Sequence, residues 1–88
     1  MKNDWRTFHK GDLIITGAGF PAFVYANQTM KDIVDIYAFG LFDEHGSDYV
    51  SAVKKVSDKE DWFSLCKDYG HSKEKVVDIA KKYFKIEL

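Results

Sequence analysis

The sequence predicts an α+β fold in which a small antiparallel sheet is followed by two C-terminal helices. Residues 11–56 hold five of the six glycines and most of the β-branched and aromatic runs, whereas residues 57–88 are charged and have helical spacing. No linker composition separates the two parts, so we expect residues 1–88 to form a single domain. Its hydrophobic fraction of 45% can supply the dense core that a short chain needs.

Two short strands are predicted at the start of the sheet. Asp12–Thr16 contains three consecutive aliphatic residues and is expected to be a strand buried on both faces or a barrel strand. Pro21–Asn27 is the second strand, with Phe23 and Tyr25 facing one side. Gly17-Ala18-Gly19 lies between them and predicts a tight turn.

A longer hairpin is predicted next. Ile33–Asp43 is the strongest apolar run, Asp43–Asp48 is a polar connection, and Tyr49–Val56 is expected to return as the antiparallel partner. The run also fits a helix, with Thr29 as a possible N-cap. Gly40 and the β-branched and aromatic content favour the strand.

Two helices are predicted in the second half. Ser57 and Glu60 form a capping-box pattern that opens the first helix, and Tyr69-Gly70 ends it. Ser72 is the expected N-cap of the second helix. The apolar side chains expected to face the sheet are Trp62, Phe63, Leu65, Cys66, Val76, Val77, Ile79, Ala80, Tyr83 and Phe84.

The opening Gly11-Asp12-Leu13-Ile14-Ile15, followed by several short strands, resembles an SH3-like small barrel of the KOW or Tudor kind. The resemblance covers residues 11–56 and implies a barrel-like sheet. The later glycine spacing departs from the KOW pattern, so the resemblance does not imply ribosome or RNA association. The helices from Ser57 onward are additional to that architecture.

The sequence predicts no enzyme activity and no cofactor. Gly17-Ala18-Gly19 lacks the third glycine of a dinucleotide-binding turn and precedes a strand rather than a helix. Cys66 and His71 are candidates for a nucleophile and a base, but no third orienting group accompanies them. We expect Cys66 to be a small core residue instead.

No metal site is predicted. His9, His45 and His71 are far apart in the sequence, and none has a second ligand at the spacing of a zinc site. Asp43–Asp48 offers carboxylates but lacks the ligand order of a calcium loop, so a solvated hairpin tip is expected.

Charge and cysteine content restrict the class of protein. Thirteen Lys and Arg against fourteen Asp and Glu give a net charge of −1, without the basic excess typical of nucleic-acid binders. The single cysteine excludes an internal disulfide. Met1–Lys10 has no signal-peptide core, and the uncharged run Ile36–Phe42 is too short to span a bilayer. A cytoplasmic location is therefore expected.

The number of aromatic residues exceeds what one small core is expected to hide. Trp5 and Phe8 lie in a polar segment, Phe20 lies at a glycine-rich turn, and Tyr25 lies on the second strand. Exposed aromatic residues commonly anchor protein partners. The sequence therefore predicts a non-catalytic interaction module that binds a protein partner or itself through these four residues. Trp5 packing back onto the barrel is an open alternative for that residue.

The alternative function is a nucleic-acid-binding accessory domain. It would use one face of the sheet together with nearby lysines such as Lys54 and Lys55. The lysines along both helices have acidic neighbours, so a solvated surface with local ion pairs is the simpler expectation for them.

Overall fold

The computed structural model describes residues 8–26, 31–38 and 44–88. A five-stranded antiparallel sheet is followed by two helices, which confirms the predicted α+β class. The strands are β1 (Leu13–Ile15), β2 (Pro21–Val24), β3 (Ile33–Ala38), β4 (Glu44–Tyr49) and β5 (Lys54–Lys55). The helices are α1 (Lys59–Asp68) and α2 (Lys73–Ile79), and α2 continues into a π-helical turn (Ala80–Phe84).

The strands lie in the order β4-β3-β2-β1-β5. The predicted tight turn between β1 and β2 is confirmed, because the Thr16 N–H donates to the Phe20 carbonyl at 2.9 Å and Gly19 has a φ of 94°. Pro21 occupies the first position of β2, where a missing N–H costs little. β5 returns beside β1, so β4 and β5 form the two ends of the sheet.

The strand interpretation of the apolar run is confirmed over Ile33–Ala38, but the predicted return strand is wrong. The partner of β3 is Glu44–Tyr49, with Ile33 opposite Tyr49 and Ala38 opposite Glu44. The polar stretch expected to form a hairpin tip is therefore a strand, apart from Asp43, which lies outside the described residues. β4 is an edge strand, and an edge strand tolerates polar and charged residues that a central strand does not.

The sheet buries side chains on both faces, and each face has its own core. The helices cover one face, and we call the cluster there the helix-side core. Segments before β1 and after β4 cover the other face, where we call the cluster the inner core. The helix-side core consists of Phe23, Tyr37, Trp62, Phe63, Cys66, Val76, Ile79, Ala80 and Phe84. The inner core consists of Phe8, Ile14, Ala22, Val24, Val34, Ile36, Val50 and Val53.

The first helix begins one residue later than predicted. The N-cap of α1 is Asp58 rather than Ser57, and its carboxylate accepts hydrogen bonds from the N–H groups of Glu60 and Asp61. A carboxylate at this position also interacts favourably with the positive end of the helix dipole. The predicted end at Tyr69-Gly70 is confirmed, with Gly70 at a φ of 84°.

The second helix and its contact with the sheet agree with the prediction in most respects. Ser72 caps α2 by accepting a hydrogen bond from the Lys75 N–H. The indole N–H of the buried Trp62 donates to the carbonyl of Ile14 at 3.0 Å, so α1 is tied to β1. Three of the side chains expected to face the sheet depart from the prediction: Leu65 and Val77 are half-buried, and Tyr83 is exposed.

The side chain of Asp48 connects the edge strand β4 to the turn between β1 and β2. One carboxylate oxygen of Asp48, on β4, accepts a hydrogen bond from the Gly17 N–H at 2.8 Å, and the other accepts from the Tyr49 N–H at 2.7 Å. Gly17 also lies so close to the segment after β4 that a Cβ there would be 2.8 Å from the Cβ of Ala52. This contact links β4 and the segment after it to the β1–β2 turn, and no backbone ladder joins β4 to β5 within the described residues.

Candidate protein-docking surface

The structure describes three of the four sequence-predicted partner-binding residues, and they lie in different environments. Trp5 lies outside the described residues. Phe8 is fully buried in the inner core and is therefore not available to a partner. Phe20 is half-buried and lies edge-on to Tyr69, with the ring centroids 6.5 Å apart. Tyr25 is exposed over 39% of its surface.

A turn explains why Phe8 is buried although its sequence neighbours are polar. The Asp12 carboxylate accepts a hydrogen bond from the His9 N–H at 2.8 Å, and the Asp12 N–H donates to the His9 carbonyl at 3.0 Å. Gly11 supplies the positive φ of 92° within this turn. The turn directs Phe8 back over the inner face of the sheet.

Much of the aromatic surplus lies in one core. A continuous series of ring contacts crosses the helix-side core: Phe23 is 5.1 Å from Trp62 and 4.7 Å from Phe84 between ring centroids. Phe84 is 5.7 Å from Tyr37, and Trp62 is 5.7 Å from Phe63. Tilted and edge-on ring pairs of this kind add to the free energy of burial. These five aromatic residues therefore stabilise the fold.

The exposed aromatic and aliphatic side chains concentrate on one part of the sheet, which we call the open face. It consists of Tyr25, Ile33, Asp35, Ser47 and Tyr49. Ile33 is opposite Tyr49 and Asp35 is opposite Ser47 in the register of β3 and β4. The Tyr25 N–H donates to the Asp35 carbonyl at 2.8 Å, which aligns Tyr25 beside Asp35. Because side chains alternate along a strand, all five share the face that carries Phe23 and Tyr37.

The helices end beside the open face without covering it. Phe84 contacts Tyr25 edge-on at 6.4 Å between ring centroids, and Tyr83 lies 5.4 Å from Tyr37. Beyond these contacts Ile33 is 36% exposed, Tyr49 is 66% exposed, and Tyr83 at the border is 41% exposed. Of the five exposed large hydrophobic residues in the described part of the chain, Tyr69 alone lies elsewhere. The open face is therefore the main concentration of exposed apolar surface among the described residues.

Charge is strongly segregated around this surface. Between residues 32 and 53 the sequence contains five Asp and Glu and no Lys or Arg. The rest of the chain holds all thirteen Lys and Arg with nine Asp and Glu, a net charge of +4. Asp35 lies within the open face itself and is exposed. The segment of residues 32–53 is consequently acidic in sequence, although the net charge of the whole chain is only −1.

Three lysines outside this region lie near aromatic rings or a carboxylate of the same chain. Lys73 Nζ is 4.9 Å from the centroid of the Phe63 ring, and Lys82 Nζ is 5.3 Å from that of Tyr83. Lys55 forms an ion pair with Asp12 at 3.2 Å. A shallow groove of about 370 Å³ beside Phe63 is lined by Glu60, Ser64, Lys67, Ser72 and Lys73. The contacts of Lys73 and Lys82 are with aromatic rings, whereas ion pairs with acidic neighbours were expected for the helix lysines.

Cys66 and His71, the candidate nucleophile and base, lie in different environments. Cys66 is fully buried, as predicted, and burial raises the pKa of its thiol from 9.0 to about 12. A thiol with this pKa is not a nucleophile near neutral pH. Desolvation by burial lowers the pKa of His71 below 6.5, and the positive charge of Lys75, whose Nζ is 3.5 Å from Nδ1 of His71, lowers it further.

Residues 8–26, 31–38 and 44–88 contain no group of three His, Cys, Asp or Glu side chains placed to hold a metal ion. None of their helices has the length and apolar character needed to cross a membrane.

Sequence reasoning identified Tyr25 but missed Ile33, Asp35 and Tyr49 as surface residues. Ile33 was expected only as the start of the apolar run, and Tyr49 was expected at the start of the return strand. The absence of Lys and Arg between residues 32 and 53 was an available signal, since it marks this hairpin as chemically distinct from the rest of the chain. Comparisons with models of known protein families, with curated proteins and with solved structures found no match to this chain.

Proposed function

We propose that this domain is a non-catalytic interaction module that binds a protein partner through the open face. The observation that supports the proposal is the grouping of Tyr25, Ile33 and Tyr49 on an uncovered part of the sheet. Exposed apolar groups of this kind, surrounded by polar residues, are typical of protein-binding surfaces. Tyrosine is also enriched among the residues that contribute most to binding.

The charge distribution favours a protein partner over nucleic acid at this surface. Nucleic-acid affinity depends largely on neutralising phosphates, and the segment of residues 32–53, which supplies four of the five residues of the open face, has carboxylates and no Lys or Arg. The lysines of α1 and α2 lie among acidic neighbours such as Glu60, Asp61 and Glu74. Nucleic-acid binding is therefore the alternative function, and the affinity capture described below distinguishes it from protein binding.

The proposal is tested by affinity capture from the native cell with the wild-type domain and with the double variant Ile33→Ser, Tyr49→Ser. Each capture is done with and without nuclease and is analysed by mass spectrometry. We expect a stoichiometric, nuclease-resistant protein that the double variant fails to retain. Both side chains are exposed, so the double variant is expected to fold, and circular dichroism checks that it does.

The matched control is Tyr69→Ser, which removes an exposed tyrosine outside the open face. We expect this control to retain the captured protein. Equal capture by the wild-type domain and the double variant would contradict the use of the open face. Recovery of nucleic acid, with loss of all proteins after nuclease treatment, would favour the alternative function.

We also propose that the sheet of residues 11–56 is an SH3-like small barrel. Two observations support this proposal: β5 returns beside β1, and the Gly17 N–H in the β1–β2 turn donates a hydrogen bond to Asp48 on β4. This architecture hosts unrelated functions, so it does not by itself identify a partner.

A further inference from the structure

We propose that the partner segment is an extended, basic peptide that adds to the free edge of β4. This inference rests on the proposed function, because it identifies what the open face and its adjoining edge bind. Three observations support it: the direction of the backbone groups on β4, the apolar side chains beside them, and the sign of the local charge.

Hydrogen bonds fix which backbone groups of β4 point outward. The Val50 N–H donates to the Asp32 carbonyl at 3.0 Å, so every second pair from this point along β3 and β4 is hydrogen-bonded. Ser47 is opposite Asp35 and belongs to the alternate set of pairs, which are not hydrogen-bonded to each other. The Asp35 carbonyl instead accepts from the N–H of Tyr25, the residue after β2. The N–H and C=O of Ser47, and likewise those of His45, therefore point away from the sheet.

The backbone N–H and C=O of Tyr49 also point outward, but both form hydrogen bonds within the domain. The free edge of β4 therefore ends before Tyr49. The Tyr49 N–H donates to the Asp48 carboxylate, and its carbonyl accepts from the N–H groups of Ala52 and Val53 at 2.9 and 3.2 Å. The outward N–H and C=O of Ser47 have no partner among the described residues. An added strand would satisfy them, as in other peptide complexes formed by strand addition.

The side chains of an added strand would meet the open face. Neighbouring strands lie about 4.8 Å apart, so a strand beside β4 places alternate side chains next to Ser47 and Tyr49. Tyr49 and its cross-strand neighbour Ile33 supply apolar contact there, and Asp35 lies one strand further in. Main-chain hydrogen bonds with β4 would supply affinity for the added strand, and contacts with these side chains would supply selectivity for its sequence.

The negative charge near β4 favours a basic peptide as the added strand. It disfavours an acidic peptide and a second copy of this chain. Five carboxylates and no Lys or Arg lie between residues 32 and 53, so an Arg or Lys side chain gains an attraction that a carboxylate lacks. Pairing of two β4 edges with Ser47 opposite His45 would place Glu44 opposite Asp48 of the second copy. Like charges directly opposite each other destabilise strand pairing.

The first experiment measures binding of a fluorescent ten-residue peptide in which arginine alternates with valine. Fluorescence anisotropy compares it with a glutamate–valine peptide and with an arginine–valine peptide N-methylated at alternate amides, prepared in both registers. We expect the unmodified arginine peptide to bind at least about tenfold more tightly than the glutamate peptide. It should exceed by the same factor the affinity of whichever of the two N-methylated peptides binds more weakly. Equal binding of all the peptides would overturn the proposal.

The second experiment changes the edge of β4 without changing its charge. Ser47→Pro removes an outward N–H that the β3–β4 ladder does not use, and proline is tolerated at such edge positions. Ser47→Ala is the matched control because it keeps this N–H. We expect Ser47→Pro to weaken binding of the arginine peptide about tenfold relative to Ser47→Ala. Equal affinities in two folded variants would contradict strand addition.

The charge requirement is tested with Asp35→Asn, with Asp68→Asn on α1 as the control. Both side chains are exposed, so neither variant should lose stability. Asp35→Asn should weaken peptide binding by about threefold and Asp68→Asn should leave it unchanged. Equal effects of the two would contradict a role for Asp35.

Two further outcomes separate this inference from the proposed function. A cellular protein captured through Ile33 and Tyr49, together with failure of the arginine peptide to bind, would overturn the inference and leave the proposed function standing. A dimer detected by sedimentation and lost in Ser47→Pro would assign the edge to a second copy and overturn the basic peptide as its occupant.

Discussion

At the scale of single residues, the hydroxyl of Thr16 is placed unfavourably. Thr16 is 4% exposed, and its Oγ1 has no hydrogen-bond partner among the described residues. A buried polar group without a partner loses its hydration and gains nothing in return. We expect Thr16→Val to leave the free energy of unfolding unchanged or to raise it by about 1 kcal/mol in urea denaturation.

Thr16→Ser is the control for this substitution, because it keeps the hydroxyl and removes the methyl group. It should lower the free energy of unfolding by about 1 kcal/mol. A loss of stability in Thr16→Val larger than that of Thr16→Ser would mean that the hydroxyl makes a stabilising hydrogen bond.

The thiol of Cys66 gives a second prediction at this scale. Its pKa of about 12 leaves almost no thiolate at pH 8, and its side chain is buried. Alkylation by iodoacetamide at pH 8 should therefore be more than about 100-fold slower in the folded protein than in the urea-unfolded chain, as followed by mass spectrometry. Similar rates in both states would show that α1 leaves the sheet readily.

At the scale of elements, the turn between β1 and β2 depends on the absence of a side chain at residue 17. A Cβ at Gly17 would lie 2.8 Å from the Cβ of Ala52 and 3.3 Å from a carboxylate oxygen of Asp48. We expect Gly17→Ala to lower the free energy of unfolding by about 1–3 kcal/mol, as measured by thermal and urea denaturation. Gly46→Ala on β4 is the control, since nothing lies within 4 Å of its Cβ position.

A second substitution identifies the cause of that loss. Ala52→Gly removes the closest atom, so the combination of Gly17→Ala with Ala52→Gly should recover part of the stability lost in Gly17→Ala alone. Strict additivity of the two substitutions would show that the contact with Ala52 is not responsible.

The elements differ in how far the sequence determined them. β1, β2, their turn and both helices were predicted within a few residues, because local signals such as Pro21, Gly19 and Ser72 coincide with their ends. β4 was predicted as a connection, since its residues have the composition of a turn. Pairing with β3 outweighs that local preference, and such pairing is not visible in a short stretch of sequence.

The candidate site was less accessible to prediction than the fold. Whether an aromatic side chain is exposed depends on where the helices stop over the sheet, and that boundary lies at Tyr83 and Phe84. Phe8 and Tyr25 look equally exposed in the sequence, yet a turn buries the first and the helix end leaves the second open. Composition alone does not distinguish the two cases.

At the scale of the whole molecule, stability should depend on pH through His71. Its pKa is below 6.5 in the folded protein, so the unfolded chain binds a proton at a higher pH than the folded chain does. The contribution of this group is therefore complete above pH 6.5 and is lost as the pH falls below that value. In urea denaturation between pH 7.5 and 5, His71→Gln should show a smaller loss of stability than the wild type.

His9→Gln is the matched control for this measurement, because it removes an exposed histidine and keeps His71. Its stability should follow the wild-type pH dependence. The same pH dependence in His71→Gln and in the wild type would contradict the assignment to His71.

The separation of charge between the acidic β3–β4 region and the rest of the chain gives the molecule a permanent electric dipole. A cationic partner that approaches from solution would experience a torque that turns this region toward it before any contact forms. The field extends over a screening length of about 8 Å at physiological ionic strength. Added salt should therefore slow association while it changes the dissociation rate little, so the kinetics of encounter depend on the distribution of charge rather than on the net charge of −1.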